Sequence, residues 1–364
     1  MAHQSPDLPQ YRALCECAAR ILRVAPWEWM EESDLFGVRD PDTGELGFVS
    51  VMGMLGEHRA VAVYQGAVGL WQFLSLHEEG DDPEIAAQVS ELPHLHLAFV
   101  PRRDLEPSDR SVYKRLGLRS PGRNAWPEFR IYVPGFVPRP LRQGEVGLLQ
   151  HGLEQLPGVA ERYREDESVL HPDGPQMLVR VPVAGEWVDR YETVEHVPMP
   201  WESVELDPFT RAALERLERT RGTLDIAFVH LWSTVGGEPG LDPFYVYMLL
   251  LVDGHTGLLV GSEVLVPDPT AAALWSQLPG HLARLLEPAG GLPATVRVDR
   301  PRLARALGPV LEAVGVELVE AGALPHLDEL REGLDRFERS GIPLPGEPPP
   351  PAATRGGRRR GRGA

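Results

Sequence analysis

Lysine is almost absent from this chain. Lys114 is the only one among 36 lysine and arginine residues. A phosphate-binding loop of the form G-x-x-x-x-G-K-[ST] needs its lysine directly after glycine. Lys114 follows Tyr113, so that loop is excluded. A Schiff-base or kinase-type lysine could only be Lys114, in the charged stretch 109–115, which reads as an exposed helix face. Cysteine is scarce too. Cys15 and Cys17 are the only two, and positions two apart on a helix point to different sides. They read as small apolar helix residues, and the count excludes a disulfide framework. No apolar run approaches the roughly 18–20 residues that cross a bilayer. The first ten residues lack the charged-then-apolar layout of a signal peptide, so the expected location is cytoplasmic, with no membrane partner. The G-x-S-x-G, H-E-x-x-H and C-x-x-C patterns are all missing, which tilts the expectation away from an enzyme.

What is present suits a folded, acidic protein of two α/β units. The chain has 364 residues, 43% of them hydrophobic, and a formal net charge of −17. The segment after Glu347 holds five arginines and no acid, so the rest is more negative still. Such a body repels nucleic acid and anionic membrane. A polyanion contact must come from the tail or from a local patch that the sum hides.

The first unit, expected over residues 1–156, reads as α+β. Residues 11–25 form an amphipathic helix with apolar residues at Leu14, Ala18, Ile21 and Leu22, stopped by Pro26. A hairpin follows over 35–38 and 47–51, turning through Asp40, Pro41 and Gly44. Further strands are expected at 60–64 and 94–100, with a helix from Ala67 between them. Residues 126–138 read as a Pro/aromatic-rich loop, and a helix over 144–156 closes the unit. Residues 157–222 read as a connector with strands at 177–183 and 186–197 and a helix at 209–220, leading into the second unit. Residues 223–340 give the order βββαβαβα: three strands joined by short turns, then strands alternating with helices, hence a mixed sheet. Residues 341–364, with Pro348 to Pro351 and then Arg and Gly, cannot bury a core and are expected to be disordered.

That order resembles the ribonuclease H/integrase core. The likeness is carried by Leu250-Leu251-Val252-Asp253-Gly254-His255-Thr256-Gly257, by Pro293-Ala294-Thr295-Val296-Arg297-Val298-Asp299 and by Val314-Gly315-Val316. The whole chain also resembles an uncharacterised bacterial two-domain family of unknown function. Here the match lies in Pro26-Trp27-Glu28, the hairpin 34–38, Val51-Met52-Gly53, Trp126-Pro127 and Pro134-Gly135. The first resemblance implies two divalent ions held by carboxylates from strand one, strand four and the last helix. Asp299 suits strand four, and Asp328, Glu329 or Glu332 suits the last helix. Strand one reads Phe228-Val229-His230-Leu231 with Asp225 only at its edge, so the acid expected in its middle is missing. Asp253 reads as turn chemistry and Asp299 as a helix N-cap.

The expectation is therefore a non-enzymatic binding or regulatory protein with a degenerate ribonuclease H-like domain and no cofactor. The alternatives are a divergent nuclease, which would use Mg²⁺, and a nucleic-acid-associated protein acting weakly through the Arg/Gly tail. A protein partner would meet the first unit at Trp126, Phe129 and Phe136 in the Pro/aromatic loop, which reads equally as a lid packed on a core, or at His58 in the glycine-bearing loop 53–58. Tyr132 belongs to the same aromatic group. His94 and His96 share a strand face at a spacing that can bind zinc, but no third ligand is marked, and polar-face histidines are the plainer reading.

Overall fold

A computed structural model describes residues 4–56, 58–78, 92–119, 122–197, 207–237 and 241–339. The expected tail and residues 198–206 of the expected connector lie outside them. The chain builds two mixed sheets, each with helices on both faces.

Helix α1 (Leu8–Val24) starts at Asp7, whose carboxylate accepts from the Gln10 backbone N–H while the Gln10 side chain returns to Asp7 N–H. Two of the donors orphaned at a helix start are thereby satisfied. The hairpin of β1 (Phe36–Arg39) and β2 (Leu46–Met52) turns on Asp40, whose Oδ1 accepts from the N–H groups of Asp42 and Thr43. Strand β3 (Ala60–Gln65), helix α2 (Gly66–Glu78), strand β4 (His94–Val100), helix α3 (Pro107–Leu116) and strand β5 (Trp126–Tyr132) follow. Strands β1 to β5 form an antiparallel meander. Trp126 to Tyr132 pair residue for residue with Val100 to His94, so the front half of the expected Pro/aromatic loop is an edge strand.

Helix α4 (Val146–Glu165) runs nine residues past the expected end at Leu156, through Pro157. An interior proline removes a helical hydrogen bond. Val159, Ala160 and Tyr163 beyond it are buried in the core with α1, and that packing holds the helix together. Strands β6 (Gln176–Val183) and β7 (Glu186–Thr193) then join the first sheet, β6 pairing parallel with β1. The order is β5-β4-β3-β2-β1-β6-β7. The hairpin expected in the connector thus completes the first unit. Helices α1 and α4 cover one face, with Leu14, Ile21, Leu149 and Leu153 packed on Val49, Val63, Leu95 and Leu97. On the other face, Leu70 and Phe73 of α2 pack on Phe48, Ala62 and Tyr64.

The second unit opens with the short helix α5 (Pro208–Glu215), followed by β8 (Thr223–Val235), β9 (Phe244–Asp253) and β10 (Leu259–Leu265). Next come α6 (Ala271–Leu286), β11 (Thr295–Val298), α7 (Pro301–Ala313), β12 (Glu317–Glu320) and α8 (Pro325–Arg339). The sheet order is β10-β9-β8-β11-β12. Strands β8 to β10 are antiparallel neighbours, while β11 lies parallel to both β8 and β12. Period-two alternation sends Ile226, Tyr247, Leu249 and Val296 to the face under α6 and α7. Ala227, Val229, Leu250 and Val252 go to the opposite face, under Leu324 and Leu327 of the α8 segment.

The units meet where Pro134 to Val137 lies along the start of β9. Tyr245 N–H donates to Gly135 O and Val137 N–H to Pro243 O, both at 2.9 Å. Gly135 has φ +85°, and a Cβ there would sit 2.9 Å from Pro267, so the close approach depends on glycine. Asp242 anchors the rim, accepting from Arg142 at 2.7 Å and from Arg139 at 3.2 Å.

Candidate functional site

The acids of the second unit gather on the face covered by α8. Asp225 stands directly opposite Arg297 in the β8–β11 register, and Asp299 follows two residues later on the same face. Asp225 is fully buried. Its two oxygens accept from Arg297 Nε at 2.6 Å and Nη2 at 2.8 Å, the two-pronged geometry guanidinium and carboxylate favour. The Asp225 carboxylate in turn raises the affinity of Arg297 for its proton. Gly254, in the β9–β10 turn, makes room for the pair. A Cβ there would fall 3.0 Å from both Arg297 Nη2 and Asp225 Oδ1, and the Gly254 carbonyl accepts from Nη2.

Asp299 is nearly buried and is gripped by Arg331 of α8, which bonds both its oxygens. The N-cap expected of Asp299 does not form. Helix α7 starts at Pro301, so the cap position falls to Arg300, and Asp299 turns toward α8 instead. Asp328 touches the same guanidinium at 3.6 Å from an exposed position, while Glu329 and Glu332 face solvent. Asp253 does what its turn predicts: Oδ1 accepts from Thr256 N–H, Thr256 Oγ1 and His255 N–H. The Thr256 N–H, chiefly, keeps its carboxyl below the usual range.

Each buried acid of this face is therefore occupied by an arginine. Divalent-ion chemistry needs carboxylates with open lone pairs converging on one point. Among the described residues no group of three or more His, Cys, Asp or Glu side chains is arranged to hold a metal ion. The donor set does not fit Mg²⁺. Arg297 and Arg331 were the decisive residues missing from the sequence reading. Arg297 lies two residues before Asp299 on a strand, and Arg331 three residues after Asp328 on a helix, so their facing was legible in principle.

The aromatic candidates serve the interior. Trp126 and Phe129 are buried in the first core, so of the two readings of this segment the exposed recognition surface fails for them and packing onto a core holds. Phe136 is partly buried at the junction of the units, its ring 6.4 Å from that of Phe244. Its partner is the protein's own second unit. His58 is exposed, with its ring stacked 6.0 Å from His96. Gly53 and Gly56 in that loop adopt positive φ, as a connecting loop would.

His94 and His96 share one face of β4, as their spacing implies. His94 lies flat on Tyr132, with centroids 4.2 Å apart, and its Nδ1 donates to Leu92 O. Burial pushes the His94 imidazole down to about 4 and His96 well below its ordinary value. These are neutral core histidines. Arg139, Arg142 and Asp242, which join the units, were also missed. Their separation in sequence carries no local signal.

Fold and site together define a two-unit α/β protein with arginine-closed acidic positions. Residues 11–180 match the family described as Domain of unknown function (DUF7309), and residues 210–335 match that described as Domain of unknown function (DUF6930). The chain thus joins two domains of unknown function. None of the curated proteins matches it. No helix among the described residues is long and apolar enough to cross a membrane.

Proposed function

We propose that this is a cytoplasmic, non-catalytic binding or regulatory protein whose second unit is a ribonuclease H-like core with its metal positions closed. Three antiparallel strands followed by two parallel additions, with α6 and α7 on one face and α8 on the other, support that reading of the second sheet. One observation carries the functional part. The fully buried Asp225 is bonded through both oxygens to Arg297. A guanidinium there supplies the positive charge that an ion would otherwise supply, without a site where water could be activated. Arg331 on Asp299 repeats the arrangement.

The test is calorimetric titration with Mg²⁺ and Mn²⁺ beside an assay on single- and double-stranded DNA and RNA. The expected result is neither saturable binding of the ion nor cleavage. Divalent-dependent cleavage that disappears in both Asp225→Asn and Asp299→Asn would overturn the proposal.

A further inference from the structure

The first unit carries a cationic groove on a protein whose net charge is strongly negative. Helix α3 turns its acid inward: Asp109 is buried and bonded to Arg130 at 2.7 Å. Its outward charges, Arg110, Lys114 and Arg115, are all positive. Arg110 and Lys114 are four residues apart, a like-charge spacing that destabilises a helix by about 0.2–0.5 kcal/mol. Lys114 and Arg115 in the last turn complement the helix dipole. Arg110 in mid-helix and Arg102 off the helix have no such role.

Arg102, Arg110 and Lys114 line a groove of about 540 Å³ with Ser111, Leu105 and Trp126, and no acid is among its lining residues. Arg102, Arg110 and Lys114 make no ion pair among the described residues. Arg102 instead lies over the Trp126 ring, 5.7 Å from its centroid. Trp126 and Leu118 also border a second, mostly apolar cleft beside Ala18, Ala19 and Leu22. The two depressions are neighbours that share Leu118 and Trp126 as lining, one cationic and the other mostly apolar.

We propose that this groove binds a mononucleotide, with its phosphates among Arg102, Arg110 and Lys114 and its base in the apolar cleft beyond Trp126. Arginine forks and an ammonium suit phosphate oxygens, and the Ser111 hydroxyl adds a neutral donor. The volume falls within the range of small-molecule sites, roughly 300–1,000 Å³. The inference does not depend on the carboxylates of the second unit.

Calorimetric titration of the full chain with ATP, inorganic pyrophosphate and adenosine, each at low and high salt, tests it. ATP should bind most tightly, pyrophosphate more weakly and with the same salt sensitivity, and adenosine weakest. The double charge neutralisation Arg110→Gln/Lys114→Gln, on exposed side chains, should weaken ATP by about tenfold or more while the protein stays folded, with at most a small drop in melting temperature from the lost dipole partner. Ala19→Trp, which fills the apolar cleft, should weaken ATP and spare pyrophosphate. The proposal is overturned if ATP shows no saturable binding, if charge neutralisation leaves its affinity unchanged, or if pyrophosphate binds as tightly as ATP. It is equally overturned if a ten-residue oligothymidylate binds while ATP does not.

Discussion

Arg297→Leu should be among the most damaging single substitutions in the second unit, and more damaging than the change at its partner. The Asp225 carboxylate is fully buried, and Arg297 supplies both of its side-chain partners. Removing one member of a buried pair costs about 3–5 kcal/mol because the survivor stays charged and unpaired. The Arg297 side chain is 34% exposed, so some water reaches the vacated space, and the lower end, about 3 kcal/mol, applies. Asp225→Asn runs the other way. The amide keeps the shape and one acceptor, and Arg297 can turn its charge to solvent, for a loss of about 1.5 kcal/mol. The double variant should lose less than the sum of the two, with a coupling of about 1–3 kcal/mol. Two cores in one chain make a single unfolding transition unsafe to assume. Hydrogen exchange of peptides from β8 and β11 reads the second unit directly. A loss of about 3 kcal/mol raises exchange there roughly a hundredfold. If Arg297→Leu changes it less than threefold, or if Asp225→Asn is the worse of the two, the ion pair is not what keeps that carboxylate buried.

Acid should destabilise the first unit before ordinary carboxylate titration does. Burial holds His94 down at about 4, against about 6.5 in the unfolded chain, so its stabilising contribution is complete above 6.5 and is lost as pH falls from there toward 4. The difference amounts to about 3 kcal/mol, and His94→Asn, which keeps a donor near Leu92 O, should reduce that slope in urea titrations at stepped pH and leave the share that His96 contributes. Cys15 is buried and its thiol is pushed up to about 12 by desolvation, with Cys17 raised for the same reason. Neither should react with a disulfide reagent at pH 8 until denaturant is added; fast labelling of the native protein would refute this. Asp242→Ala removes the acceptor shared by Arg139 and Arg142 where the units meet, at a cost of about 1–2 kcal/mol for partly exposed charge-assisted bonds. Faster proteolysis or exchange at residues 134–142 and 241–246, with both cores unchanged, is the expected signature.

The sequence was legible where a local pattern decides the outcome. Strand β4 falls at the expected residues because its alternation is bounded by Pro93 and Pro101. Helix α4 was misjudged at Pro157 because the local penalty is visible in sequence and the offsetting burial of Val159, Ala160 and Tyr163 is not. The β6–β7 hairpin was assigned outward because parallel pairing of β6 with β1 joins residues some 140 positions apart. Trp126 and Phe129 read as a loop because prolines flank them, whereas the ladder to β4 is a long-range fact. The site divides along the same line. Asp299 and Asp328 were recognisable as acids at the strand-four and last-helix places, and Asp225 as one only at the edge of strand one. Whether such an acid is a ligand or half of an ion pair depends on which cation the register sets opposite it. That pairing is fixed by Arg297 facing Asp225 across two strands separated by 72 residues. Acidity is written in the composition, whereas the availability of an acid is a property of packing.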